Sequence, residues 1–141
     1  MKIDSAMTLW RVLLQLYVLS SMGALDTQIG GRHYKGCRYQ PVKFCTDLNL
    51  NFIQGNIVKY ITRYKEKNGL QDLEKVFHYA QLGLELRPLN FVPAVATDLI
   101  LRYISLNNLT NIVGDIIRGA VFQDWHKVIN SVTRIISQEY E

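Results

Sequence analysis

Apolar residues recur at helical spacing along most of the chain, and alternation of period two is almost absent. The pattern predicts an all-α fold, a helical bundle of about six to seven helices. The first helix is expected to start at Asp4 or Ser5, either of which can cap it, and to end by Gly23. Apolar positions cover most of its circumference, so it is expected to be buried against the body of the chain or against another subunit. Residues 1–31 are therefore set apart as an N-terminal buried or oligomerisation helix, and residues 32–141 as a single helical domain. The apolar run from Leu9 to Leu19 looks superficially like a signal peptide, but Asp4, Arg11 and Gln15 interrupt it. It is also too short and too charged for a membrane span. Met22 is an alternative start, which would place residues 1–21 outside the native protein. Residues 29–40, with Gly30, Gly31 and Gly36, read as a loop or short ribbon. Pro41 suits the first turn of a short helix reaching about Leu48. Asn51 can cap the next, which runs to about Lys67 and is stopped by Asn68-Gly69. Another runs from Leu70 or Gln71 to about Leu86, ahead of Arg87-Pro88. Further helices fit residues 92–106, 110–119 and 123–138.

The apolar pattern is also duplicated. Residues 46–53 (TDLNLNFI) match 97–104 (TDLILRYI) at five of eight positions. Residues 56–63 (NIVKYITR) match 111–118 (NIVGDIIR) at five of eight, and 71–76 (QDLEKV) match 123–128 (QDWHKV) at four of six. The three blocks keep their order and retain polar identities, which predicts two degenerate copies of one helical unit, about residues 41–86 and 92–138. Each copy is expected to lay its apolar face on the other about a pseudo-twofold axis. Lys59 and Tyr60 become Gly114 and Asp115 in the second copy, whereas Arg63 and Asp72 have sequence counterparts in Arg118 and Asp124. Residues present in one copy are read as ligand-specific, and residues shared by both as scaffold.

Composition is that of an ordinary globular chain, with 48% hydrophobic and 20% charged residues. The net charge of +4 is unevenly placed: residues 32–75 hold nine Lys/Arg against four acids, a local net of +5. Such a cluster raises the potential over one surface and attracts anions, although a solvated basic face is the plainer reading of any basic run. Cys37 and Cys45 form no C-x-x-C, and the spacing of His33, Cys37, Cys45 and His78 matches no recognised zinc pattern.

Asn56, Lys59, Tyr60 and Arg63 fall at i, i+3, i+4 and i+7, so one helix face presents an amide, an ammonium, a phenol and a guanidinium. Lys and Arg supply the charge that phosphate oxygens need, and Tyr60 offers a flat surface for a base or ribose. The loop carrying His33, Tyr34 and Lys35 has glycines on both sides, which let backbone N–H groups approach an anion. Lys75, Asp72 and Tyr79 on the following helix are brought towards Arg63 and Lys59 by antiparallel packing. Asp72 is a structural partner for Arg63 or a metal candidate. G-x-x-x-x-G-K-[ST] and G-x-G-x-x-G are both absent, so no P-loop or dinucleotide fold is expected. Glu66, Asp72 and Glu74 are too few and too scattered for the E-x-x-E…E-x-x-D pattern of helical nucleotide pyrophosphohydrolases. No nucleophile stands out, and His78 and His126 read as packed or surface histidines.

H-Y-K at 33–35, Q-P at 40–41, F-x-x-G-N-x-x-K-Y-x-x-R from Phe52 to Arg63 and D-L-x-K-x-x-x-Y from Asp72 to Tyr79 together resemble the SaV-like family of small bacteriophage proteins. That family includes a phage nucleotide kinase lacking a P-loop. The resemblance covers about a third of the chain and implies a phage or prophage origin, action in the host cytoplasm, oligomerisation and a nucleotide ligand. It carries His33, Tyr34, Asn56, Lys59, Tyr60, Arg63 and Asp72 as family positions. The extra C-terminal copy departs from the family, and one duplicated chain could replace a dimer. Three functions follow. The first is sequestration of a nucleotide, including a cyclic or signalling nucleotide of host defence, with no membrane partner. The second is a nucleoside monophosphate kinase, which would bring in Mg²⁺. The third is a nucleic-acid-associated structural protein.

Overall fold

The computed structural model describes residues 5–19 and 23–141. Among them are seven α-helices and no strand: α1 Ser5–Leu19, α2 Pro41–Asp47, α3 Phe52–Arg63, α4 Leu70–Leu86, α5 Ala96–Leu106, α6 Asn111–Val121 and α7 Trp125–Tyr140. Local signals set most of the boundaries. Pro41 occupies the first turn of α2. Asn51 and Gln54 cap α3 reciprocally, each side chain accepting the other's backbone N–H at 2.9 Å. α3 ends at Arg63 rather than near Lys67, because the chain tightens into a 3-10 turn, Tyr64–Glu66. Gly69 then reverses it at φ +52, donating its N–H to the Tyr64 carbonyl at 2.8 Å. α5 starts at Ala96, not at 92, because the Pro93 carbonyl accepts the Ala96 N–H in a preceding turn.

The first helix is expected to be buried against the body or against another subunit. Leu9, Trp10, Val12, Leu13, Leu14 and Leu16 on α1 are exposed, so the body of this chain does not bury them. After α1 the chain meets the body, where Leu25 and Gln28 bond to residues of the 32–141 unit. The proposed cap Asp4 and the alternative start Met22 lie outside the described residues. Among the described residues no helix is long and apolar enough to cross a membrane.

The core is a four-helix arrangement. α3 packs on α4 and α6, α7 packs on α4 and α6, α2 lies on α3, and α5 on α6. α3 of the first half thus meets α6 of the second, and α4 meets α7. Ile57, Val58, Leu73, Val76, Ile116 and Val128 are among the side chains closed off from solvent at its centre. Phe44 stacks on Tyr103 with ring centroids 4.3 Å apart, joining α2 to α5. Buried Gln54 donates to the carbonyls of Ala120 and Val121 at 3.0 Å, tying the start of α3 to the end of α6.

The copies match in order but not in every register. Leu73 and Trp125, and Val76 and Val128, are buried at matching positions of α4 and α7. Residues 46–53, however, cross the turn between α2 and α3, whereas 97–104 lie inside α5. The turns themselves correspond through Asn49 and Asn108, both at φ +51, followed by the caps Asn51 and Thr110. The left-handed residue and the cap fix the turn, and the apolar identities do not.

α4 and α7 approach most closely at Gly83, where a β-carbon would run into the Trp125 ring. Gly83→Ala is expected to cost about 1–3 kcal/mol by overpacking. Urea denaturation reads this as a lower midpoint, and an unchanged midpoint would mean that the two helices are not in rigid contact.

Candidate functional site

The basic face sits where α3 meets α4. The two run antiparallel, since Arg63 meets Asp72 beside their connection while Phe52 meets Tyr79 at the far end, ring centroids 6.0 Å apart. The Asp72 carboxylate is fully buried, and Arg63 grips it with two bonds, Nε to Oδ2 at 3.1 Å and Nη2 to Oδ1 at 3.2 Å. Lys75 Nζ stands 3.8 Å from Oδ1.

Three cations converge on the Tyr60 ring. Lys59 Nζ, Arg63 Cζ and Lys75 Nζ lie 4.4, 4.7 and 4.8 Å from its centroid. Tyr79 stacks beside it at 6.1 Å with an interplanar angle of 19°. Asp72 is the only carboxylate paired with any of these cations among the described residues, so the cluster keeps an excess of positive charge.

An apolar groove of about 760 Å³ opens from this cluster, lined by Lys59, Asn56, Tyr34, Phe52, Val42 and Leu25 among others. Phe52 and Val42 are exposed into it. Asn56 donates its amide to the Phe52 carbonyl at 2.8 Å. The Tyr34 hydroxyl is buried, with the Arg63 guanidinium beside it. Burial pushes that phenol's pKa up, and the charge of nearby Arg63 works against the rise.

Gln28, which has no local sequence signature, organises the Gly-rich loop. Its Oε1 accepts the N–H groups of Tyr34 at 2.8 Å and Lys35 at 3.0 Å, and its amide reaches the His33 ring at 3.1 Å. The backbone donors expected to cradle an anion are therefore already occupied by a carboxamide from the preceding segment. His33 packs on Tyr34 with centroids 4.2 Å apart, and burial, aided by the charges of Lys67 and Arg63, lowers its pKa.

Of the sequence-derived site residues, His33, Tyr34, Asn56, Lys59, Tyr60, Arg63, Asp72 and Lys75 gather along the α3–α4 face and its groove. Lys35 does not, because it lines a separate recess with Arg38 and Arg102. Phe52 and Tyr79 extend the aromatic surface on α3 and α4. His78 and His126 are exposed. Among the described residues no three His, Cys, Asp or Glu side chains stand together to hold a metal ion. Burial pushes the Cys45 thiol up to about 12, which leaves it protonated and unreactive.

The Arg63–Asp72 pair is not duplicated. Arg118 pairs instead with Asp115 at 3.4 Å, and Asp124 caps α7 by accepting the Lys127 N–H at 3.1 Å. The expected Arg63–Asp72 pair forms and joins α3 to α4, but its sequence counterparts in the second half do other work.

Residues 30–81 match the model of a family described as a protein of unknown function, DUF3310. The match takes in the loop, α2, α3 and most of α4, the segments that build the site. No curated protein and no solved structure matches the chain.

Removing Arg63 leaves a buried carboxylate without its main partner, so Arg63→Ala is expected to lose about 3–5 kcal/mol of stability. The double variant Arg63→Ala/Asp72→Ala should recover part of that loss, which a double-mutant cycle by denaturant unfolding measures. His33 gives a pH signature. Its folded pKa lies below the ordinary 6.5, so the unfolded chain binds the proton more readily. Stability should fall as pH drops through 6.5, and His33→Gln should flatten that part of the profile.

Proposed function

We propose that the chain is a nucleotide-binding protein that holds a phosphate-bearing nucleotide at the α3–α4 face and sequesters it. The observation that carries this is the convergence of Lys59, Arg63 and Lys75 on the Tyr60 ring with a single carboxylate between them. Phosphate would sit among the cations, where each charge-assisted hydrogen bond contributes about 1.5–3 kcal/mol. The base would lie against Tyr60 and Tyr79 or in the neighbouring groove, which Tyr34 lines. Sequestration is favoured over turnover because the gathered groups are cations, phenols and an amide, and the one carboxylate among them is committed to Arg63. The resemblance of residues 33–82 to SaV-like proteins supports a phage or prophage protein acting on a nucleotide of the host cytoplasm, such as a defence signal. Copies would associate through α1, whose large apolar side chains are exposed.

The test is incubation with a nucleotide panel and Mg²⁺, followed by heat denaturation and analysis of the released ligand. Intact nucleotide is expected. A phosphorylated product would establish a kinase instead. Binding only to long DNA or RNA, with a steep salt dependence, would make the protein a nucleic-acid partner. Lys59→Ala and Lys75→Ala should each weaken nucleotide binding by about ten- to a hundredfold with little change in melting temperature.

A further inference from the structure

A second cavity, of about 480 Å³, adjoins the groove, and Leu25 and Gln40 line both. Its rim gathers cations from three parts of the chain: Lys35 and Arg38 from the loop, Lys43 from α2 and Arg102 from α5. Its two acids, Asp26 and Asp47, leave the four cations in excess. Asp47 accepts from the Tyr39 hydroxyl at 2.6 Å and pairs with Lys43 at 3.0 Å, and Asp26 accepts the Gly23 N–H at 3.0 Å. Among the described residues Lys35, Arg38 and Arg102 have no ion-pair partner.

The fold holds these like charges in one place. Asn107, at the end of α5, clamps the loop with two bonds: its Oδ1 accepts the Tyr39 N–H at 3.1 Å, and its amide donates to the Tyr39 carbonyl at 2.7 Å. That clamp sets Arg38 beside α5, where Leu99, Arg102 and Leu106 at i, i+3 and i+7 line the recess. Tyr39 is itself buried, edge-on to Phe44 and Tyr103 at 5.6 and 5.4 Å, so the wall is anchored in the core. Unpaired cations fixed around a concave surface repel one another, and an anion placed among them relieves that repulsion.

We propose that this recess is a second phosphate site, with Arg38 and Arg102 as its main ligands. It rests on observations separate from the Tyr60 cluster. The phosphate is either a second group on the nucleotide in the groove, reaching across Leu25 and Gln40, or part of an independent molecule.

Calorimetry on the full chain tests this with two probes, inorganic pyrophosphate and a 5′-phosphorylated dinucleotide. Pyrophosphate is expected to bind at two sites per chain. The double variant Arg38→Ala/Arg102→Ala should remove one site, and Lys59→Ala the other. A dinucleotide that binds one per chain and is weakened at least about tenfold by either change spans both sites. One weakened by a single change identifies separate ligands. If the Arg38→Ala/Arg102→Ala protein binds pyrophosphate with unchanged stoichiometry and affinity, the recess is not a phosphate site. Both arginines are exposed, so the variant should keep the wild-type melting temperature. Should it not fold, amide shift mapping on the wild-type chain decides: pyrophosphate must shift Arg38 and Arg102, and their silence overturns the proposal. If Lys59→Ala changes nothing while the double variant loses a site, the Tyr60 reading fails and this one stands.

Discussion

A carboxylate with no exposed surface needs a cation and hydrogen-bond donors against it, and Asp72 imposes that requirement at the junction of α3 and α4. Arg63 meets it with a two-bond grip, and Lys75 approaches from the next turn of α4. The same grip places the Arg63 guanidinium over the Tyr60 ring, one turn back along α3. Lys75, drawn to Asp72, arrives over that ring as well, and Lys59 completes the set from α3. One buried charge thus locks two helices together and gathers more positive charge than it neutralises. Fold and site share residues here, so Arg63 serves both.

The rest of the site divides by chemistry. The cationic end lies on the α3–α4 face, and the apolar end lies in the groove beneath the segment that precedes the loop. Gln28 stitches that segment to the loop by filling its backbone donors. The loop therefore does not act as an anion cradle; it presents Tyr34 as a wall of the groove, and His33 packs behind that ring. The segment matched by the DUF3310 model holds the loop, α2, α3 and most of α4 but begins after Gln28.

The two halves share turn chemistry and differ at the site. Both halves close their first helix with a left-handed asparagine and open the next with a capping side chain, Asn51 or Thr110. Only the first half buries an acid between its second and third helices. In the second half the matching arginine pairs along its own helix, and the matching aspartate is spent as a cap. Similar sequence blocks were thus put to different physical uses once the neighbouring residues changed.

The sequence by itself determined the helical class, the caps at Pro41 and Asn51, the stop at Gly69, the order of two related halves and the face that carries Asn56, Lys59, Tyr60 and Arg63. These depend on spacing and on residue chemistry within one or two turns, which a linear chain displays directly. Tertiary structure alone decided the rest. Gln28 reaches the loop from six residues away, Asn107 clamps Tyr39 across the chain, Gln54 caps the far end of α6, and Lys35 turns towards a different cavity. It also left α1 uncovered, although its apolar pattern called for burial. Each of these turns on which segments meet in space, and periodicity along a chain states that a face must be covered without saying what covers it.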